Sequence, residues 1–286
     1  EGTVTWTAEH GPYLITHNLV VDPGTQLTIH AGTEVRFGSD GGLSVEGTMD
    51  AIGTEQQPIR FISLDDDPDR EWWNGVQVTA TDATIRLHHC QIEGATVAIA
   101  VEEGKVELDR CKIARCGGVS VHASRKARLQ MANCDVIKSR RVGIKCDDGA
   151  VVQIQDCRID DAKSHGVVLK EVGDSSFLRT SIKGSGRNGM RIRGDSDPII
   201  KECLIQDNSV YGIECIDGAS PKILASVIAN NGSTGIRLQR WDSLIQNSEI
   251  TGNHVGGIYA DARCQGQIDG NTVQDNESFG VHLRLA

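Results

Sequence analysis

The chain has 286 residues, a net charge of −10, only 4% aromatic residues and 32 glycines. An acidic chain argues against a nucleic-acid partner, which usually requires a basic surface. No run of 18 apolar residues occurs, which excludes insertion into a membrane by a helical span, and few aromatics with many glycines suit a chain of many turns around a thin core.

Residues 1–17 precede the first regular repeat and read as an N-terminal cap. Trp6, Tyr13, Leu14 and Ile15 are expected to cover an open end, because a stack of strands must hide its unpaired edges. No signal peptide is visible at Glu1-Gly2-Thr3, which is compatible with a leader having been removed. Leu43-Ser44-Val45 and Val76-Gln77-Val78 read as short strands of early repeats. An acidic insertion, Asp65-Asp66-Asp67-Pro68-Asp69, lies between them.

From Cys90 onward a small residue recurs as Cys111, Cys134, Cys157, Thr180, Cys203, Ser226, Ser248 and Asn271, in steps of 21 to 23 residues. A large apolar residue stands three places before each, from Leu87 to Ile268, and a β-branched residue two places after, from Ile92 to Val273. A glycine column follows as Gly118, Gly143, Gly166, Gly189, Gly212, Gly235, Gly257 and Gly280, each followed by an apolar residue. A fixed period of this kind is the signature of a repeat architecture. The alternation within it is period two, which means strands. A unit of 23 residues holds three short strands and three bends. The predicted fold is therefore all-β, a right-handed single-stranded parallel β-helix of about eleven coils over residues 18–286, forming one domain. The glycines fit a bend that needs positive φ or close backbone approach.

Nine cysteines, with no C-x-x-C pair, do not read as zinc ligands, and an odd count excludes complete internal pairing. Five of them share the small-residue column. Stacked Cβ vectors run parallel rather than toward each other, so the expectation is a structural ladder of free thiols that act as small buried hydrophobes. The chain stops at residue 286 within a coil with no capping segment, so the expectation is that it continues or that this end meets a partner.

Pro23-Gly24-Thr25, Gly32-Thr33-Glu34-Val35, Gly47-Thr48, Pro58-Ile59, Trp73-Asn74-Gly75-Val76 and His89-Cys90-Gln91-Ile92 together resemble the bacterial right-handed parallel β-helix repeat proteins of the pectate-lyase-like superfold. The resemblance covers nearly the whole chain and points to no specific enzyme family. It implies a fold shared by pectate lyases, polygalacturonases, alginate epimerases, phage tailspikes and noncatalytic binding repeats, among which fold does not decide. Many such proteins are exported, so the compartment leans to periplasmic or extracellular. Buried reduced thiols are compatible with the cytoplasm as the alternative.

The same resemblance implies a ligand groove along the outside of one sheet, here the glycine-apolar strand. Its outward row reads Ala100, Ser120, Lys145, Val168, Arg191, Glu214, Arg237, Tyr259 and His282, with Arg193 in the next row. The candidate ligand face is Lys145, Arg191, Arg193, Glu214, Arg237, Tyr259 and His282. Arginine suits repeated carboxylates through bidentate hydrogen bonds, which would make the partner an acidic polysaccharide. The alternative is a cross-strand ladder in which Arg191, Glu214 and Arg237 neutralise one another. Ser164-His165-Gly166 and Asn188-Gly189-Met190-Arg191-Ile192-Arg193 look like polygalacturonase strands. The paired carboxylates that hydrolysis needs are replaced by Arg141 and Val142, so both motifs read as coil positions.

No cofactor is expected. Asp65, Asp66, Asp67 and Asp69 are a weak Ca²⁺ candidate, since that ion takes several oxygen ligands, but a solvated acidic loop is the default. Trp72 and Trp73 could stack on a sugar or pack on the coil. His88, His89 and His122 read as exposed imidazoles at a bend. Three functions are open: a noncatalytic binding or scaffolding module, with a carbohydrate or another protein domain as partner; a lyase- or epimerase-type enzyme on the same face; and an assembly module pairing through its C-terminal coil.

Overall fold

A computed structural model describes residues 2–65, 72–239, 242–261 and 266–284. The chain divides into two compact units, Glu1–Ile144 and Lys145–Ala286. In each unit, successive coils contribute one strand to each of three sheets, and every pairing described within a unit is parallel.

In the first unit the opening coil is built from Gly2–Trp6, Tyr13–Ile15 and Asn18–Val21. These pair with Thr25–His30, Glu34–Phe37 and Gly42–Val45. Residues 2–15 thus form strands of a regular coil, and within it Trp6 stacks on Tyr13 with ring centroids 4.8 Å apart. Each unit contributes six strands to the first sheet. The chain therefore makes about twelve turns rather than the expected eleven. The extra turn was hidden because it lacks the small-residue and glycine columns.

Strands form where apolar residues alternate with polar ones, and the apolar set points inward. Phe177, Ile200, Ile223 and Ile245 stack in one inward file of the second unit, all fully buried. Burying such a side chain contributes on the order of 1.5–3 kcal/mol.

The small-residue column lies at the bend between the first and second sheets. The residue before it takes the left-handed conformation each time: His89, Arg110, Asn133, Asp156, Arg179, Glu202, Ala225 and Asn247 have φ between 44° and 55°. That conformation costs about 1–2 kcal/mol for a non-glycine residue, and the next side chain offsets it. Cys90, Cys111, Cys134, Cys157, Thr180, Cys203, Ser226 and Ser248 each donate to the carbonyl two residues earlier, at 2.9 to 3.4 Å. Several also accept the backbone N–H of the coil before, as Ser226 Oγ does from Cys203 at 3.1 Å. A thiol, a hydroxyl and an amide can each do both, which is why these residue types interchange. All eight described cysteines are free and buried, and Cys264 lies outside the described residues.

A second ladder, which the periodicity did not reveal, runs along the bend between the second and third sheets. Asn231 Oδ1 accepts from Asn208 Nδ2 at 3.0 Å, and Asn253 Oδ1 accepts from Asn231 Nδ2 at 2.9 Å. This ladder decides the glycine column. A Cβ on Gly212 would stand 2.5 Å from Ile228 Cγ2, 2.6 Å from the Gly235 carbonyl oxygen and 2.9 Å from Asn231 Nδ2. Gly212 does not have positive φ, so close approach, and not left-handed backbone, requires the glycine.

Gly212→Ala should lower stability by about 1–3 kcal/mol through overpacking, read as a lower midpoint in urea unfolding; an unchanged midpoint refutes the packing account. Burial pushes the Cys116 and Cys203 thiols up to about 11. At pH 8 a thiol reagent should find no more than one reactive thiol in the native chain, and two or more would contradict the buried ladder.

Candidate functional site: the outer face of the third sheet

In the second unit the third sheet contains Val167–Lys170, Met190–Arg193, Ile213–Ile216, Thr234–Gln239, Gly256–Asp261 and Phe279–Arg284, and Lys145 opens the unit on the strand Ile144–Asp147. Inward residues such as Ile192, Cys215, Leu238 and Ala260 are buried, and that locks the register. A slip of one residue would turn every side chain to the other face. The outward row is consequently Val168, Arg191, Glu214, Arg237, Tyr259 and His282, each opposite the next. Arg193 stands in the neighbouring row, between Lys170 and Ile216.

Glu214 is the centre of this face. Its side chain is 9% exposed, against 31% for Arg191 and 33% for Arg237. Arg237 Nη1 donates to Glu214 Oε1 at 3.0 Å, and Asn188 Nδ2 donates to Oε2 at 2.9 Å. Arg191 Nε lies 3.1 Å from Oε2, off the hydrogen-bond axis. The Arg237 guanidinium also lies over the Tyr211 ring, 5.4 Å from its centroid, a favourable placement for a cation. One buried carboxylate is thus shared by two guanidinium groups.

The other predicted members lie around this centre. Lys145 pairs with Asp147. Arg193 reaches Asp217 Oδ2 at 3.1 Å through both Nε and Nη2, an exposed pair of small energetic value. The Tyr259 and His282 rings lie tilted to one another with centroids 5.3 Å apart and form an aromatic group with Phe279. A hydrogen bond with Tyr259, helped by Asp261, raises the Arg284 guanidinium above its usual value.

Two residues read from sequence as coil positions belong to the same network. His165 and Asn188 are 7% and 4% exposed. The Asn188 N–H donates to His165 Nδ1 at 3.3 Å. Burial, with the positive charges of Arg191 and Arg187 nearby, pushes the His165 imidazole down to about 4. The available signal was a polar residue directly before a column glycine, at Gly166 and Gly189.

The first unit corrects one register assignment. His122, not Ser120, stands opposite Ala100, and Ser120 is fully buried, 2.6 Å from Ser139 Oγ. Ser120 takes the place of the column glycine, because it stands nine residues after Cys111, as Gly143 does after Cys134, whereas Gly118 stands only seven after. Trp73 is buried and stacked on Phe37 at 4.0 Å, with Nε1 donating to the Glu93 carbonyl at 2.9 Å. The Trp72 ring lies against Gly117, with Arg140 over it at 4.9 Å. Both rings therefore pack on the protein itself. Asp65 lines a recess of about 150 Å³ with Arg36, Arg60 and Arg115, while Asp66, Asp67 and Asp69 lie outside the described residues. His88 stands 3.9 Å from Glu107 and 4.0 Å from Asp109. Among the described residues no group of three or more His, Cys, Asp or Glu is arranged to hold a metal ion, and no helix is long and apolar enough to cross a membrane.

Three parallel sheets with short, ladder-filled bends define a right-handed parallel β-helix carrying an ion ladder on one outer face. The right handed beta helix region family matches residues 70–182 and 165–285, and the chain belongs to it. Among solved structures, the periplasmic alginate epimerase AlgG is similar over 94% of this chain and 76% of its own, at 13% identity and a TM-score of 0.73. The mannuronan C-5 epimerase AlgE4 A-module of Azotobacter vinelandii is similar over 91% of this chain and 88% of its own, at 13% identity and a TM-score of 0.56. The Dettilon tailspike protein is similar over 98% of this chain and 61% of its own, at 11% identity and a TM-score of 0.51. At such identities the likeness establishes the fold alone. A search by sequence against curated proteins finds no match.

Glu214→Gln should cost about 1–3 kcal/mol, less than for a fully buried pair because both arginines are partly solvated; an unchanged urea midpoint would contradict the shared-carboxylate geometry. His165 has a lower value folded than unfolded, so protonation favours the unfolded chain. Its contribution is whole above about pH 6.5 and is lost as pH falls toward about 4. Stability should fall through that window more steeply in the wild type than in His165→Gln, and equal slopes would refute the assignment.

Proposed function

We propose that the chain is a noncatalytic β-helix module that binds an acidic polysaccharide along the outer face of the third sheet in residues 145–286. The observation that carries this reading is the Arg191–Glu214–Arg237 row. Two guanidinium groups share one carboxylate, so the row keeps a net positive charge within an acidic chain, and both arginine side chains are about a third exposed. Guanidinium forks match carboxylates in pairs. The row repeats at the strand spacing of about 4.8 Å, close to the advance of one sugar along an extended polysaccharide. Lys145, Arg193, Tyr259 and His282 extend the face. Glu214 has both oxygens engaged by Arg237, Asn188 and Arg191, which suits it to holding the two cations in place. Two of the similar solved structures are an alginate epimerase and a mannuronan C-5 epimerase module, and an anionic sugar polymer is the ligand class that this face suits. An exported location belongs to the same reading.

A lyase- or epimerase-type enzyme is the second reading. One observation favours it: the neutral, buried His165 lies beside Arg191.

Affinity electrophoresis in gels containing alginate or polygalacturonate separates the two. The wild type should be retarded, roughly tenfold more weakly in Arg191→Ala/Arg237→Ala, and less at high salt, where charge is screened. Absorbance for unsaturated product should not rise. No retardation in any acidic polysaccharide sinks the binding reading, and a rise in absorbance that the double variant abolishes favours the enzyme.

A further inference from the structure

The arginines of this face are directed by a residue that no ligand needs to touch. Asn188 sits where the chain bends into Met190–Arg193 and is 4% exposed. Its four polar groups are all engaged, the backbone carbonyl by the Gly166 N–H at 3.1 Å. The backbone N–H donates to His165 Nδ1 at 3.3 Å, Oδ1 accepts the Tyr211 N–H at 3.4 Å, and Nδ2 donates to Glu214 Oε2 at 2.9 Å. The first bond requires an unprotonated His165 Nδ1 and puts the ring proton on Nε2. The second settles the amide orientation, since only oxygen can face an N–H, and so the NH₂ must face the carboxylate. Glu214 in turn faces Arg191 and Arg237, and Arg237 lies over the ring of Tyr211, the residue whose N–H binds Asn188. The charged groups around His165 are Arg187 and Arg191.

We propose that Asn188 is a positioning residue: its amide fixes the rotamer of Glu214, and through it aims Arg191 and Arg237 outward as one two-pronged grip for an acidic ligand. The inference rests on the binding reading above for its ligand, but not for its geometry. Satisfied buried networks of this kind fix one side-chain arrangement. A side chain locked before binding also loses less entropy when the ligand arrives.

Asn188→Asp tests it. The variant keeps the shape and the acceptor for Tyr211 but turns an acceptor onto Glu214. Two carboxylates at one site take up a shared proton as pH falls. Binding to sodium alginate should be roughly tenfold weaker than wild type at about pH 8, with the gap closing by about pH 5 as that proton is shared. The Nε–H signals of Arg191 and Arg237 in ¹H–¹⁵N spectra should broaden at the higher pH and sharpen at the lower. Asn188→Ser shortens the side chain so that the amide donor to Glu214 is lost without adding charge, and should broaden the same signals at both pH values. A gap of the same size at both pH values, no gap at all, or arginine signals unchanged in both variants would overturn the proposal. If the wild type binds no acidic polysaccharide, the binding reading fails, and the arginine signals alone decide the positioning role.

Discussion

Parallel stacking at one strand spacing places each inward side chain against the equivalent side chain of the next coil, so a position accepts only residues that tolerate a near-copy of themselves. Apolar files meet the condition by packing, as Phe177, Ile200, Ile223 and Ile245 do. Bend positions meet it by hydrogen bonding, because the backbone there leaves donors and acceptors that a sheet would have satisfied. Cys, Ser, Thr and Asn all serve in the column after Cys90, since each donates to one carbonyl and can accept one N–H. The left-handed residue before the column is tolerated because that bond is waiting for the next side chain.

The same spacing governs the outer face. A row of like charges one strand apart would repel itself, and the third sheet answers with Arg191, Glu214 and Arg237 in alternation. Alternation alone would cancel the charge. Burying the carboxylate and leaving the guanidinium groups a third exposed keeps the cations available while their counter-charge is withdrawn from solvent. Position in depth, as well as in sequence, therefore makes the face a candidate for anionic ligands. The pair of Arg193 with Asp217 nearby is exposed and does not share that depth, whereas the Asp147 carboxylate beside Lys145 is withdrawn from solvent much as Glu214 is.

Much of this was legible beforehand. The 23-residue period, the inward files, the thiol column and the row from Val168 to His282 all follow from counting, because each repeats often enough to average out exceptions. The failures came where the marker residues are absent, replaced or polar. The opening coil at residues 2–15 lacks the marker columns, so it was read as a cap and one turn was missed. Gly118 looks like a column glycine, yet Ser120 holds that place, nine residues after Cys111 as Gly143 is after Cys134. The asparagine ladder from Asn208 to Asn276 is a regular column, but its residues are polar and were passed over as bend residues.

By itself the sequence determined the class of fold, the residues that face inward, and the outward row that carries the charge, because stacking converts spacing along the chain directly into position in space. Only the tertiary structure decided how deep each outward side chain sits and which groups meet. It buried Glu214 between two arginines, set Asn188 and His165 behind it, and turned Trp72 and Trp73 onto the protein itself. Those outcomes depend on contacts between neighbouring coils and on loops whose lengths differ from coil to coil, and a linear pattern carries neither.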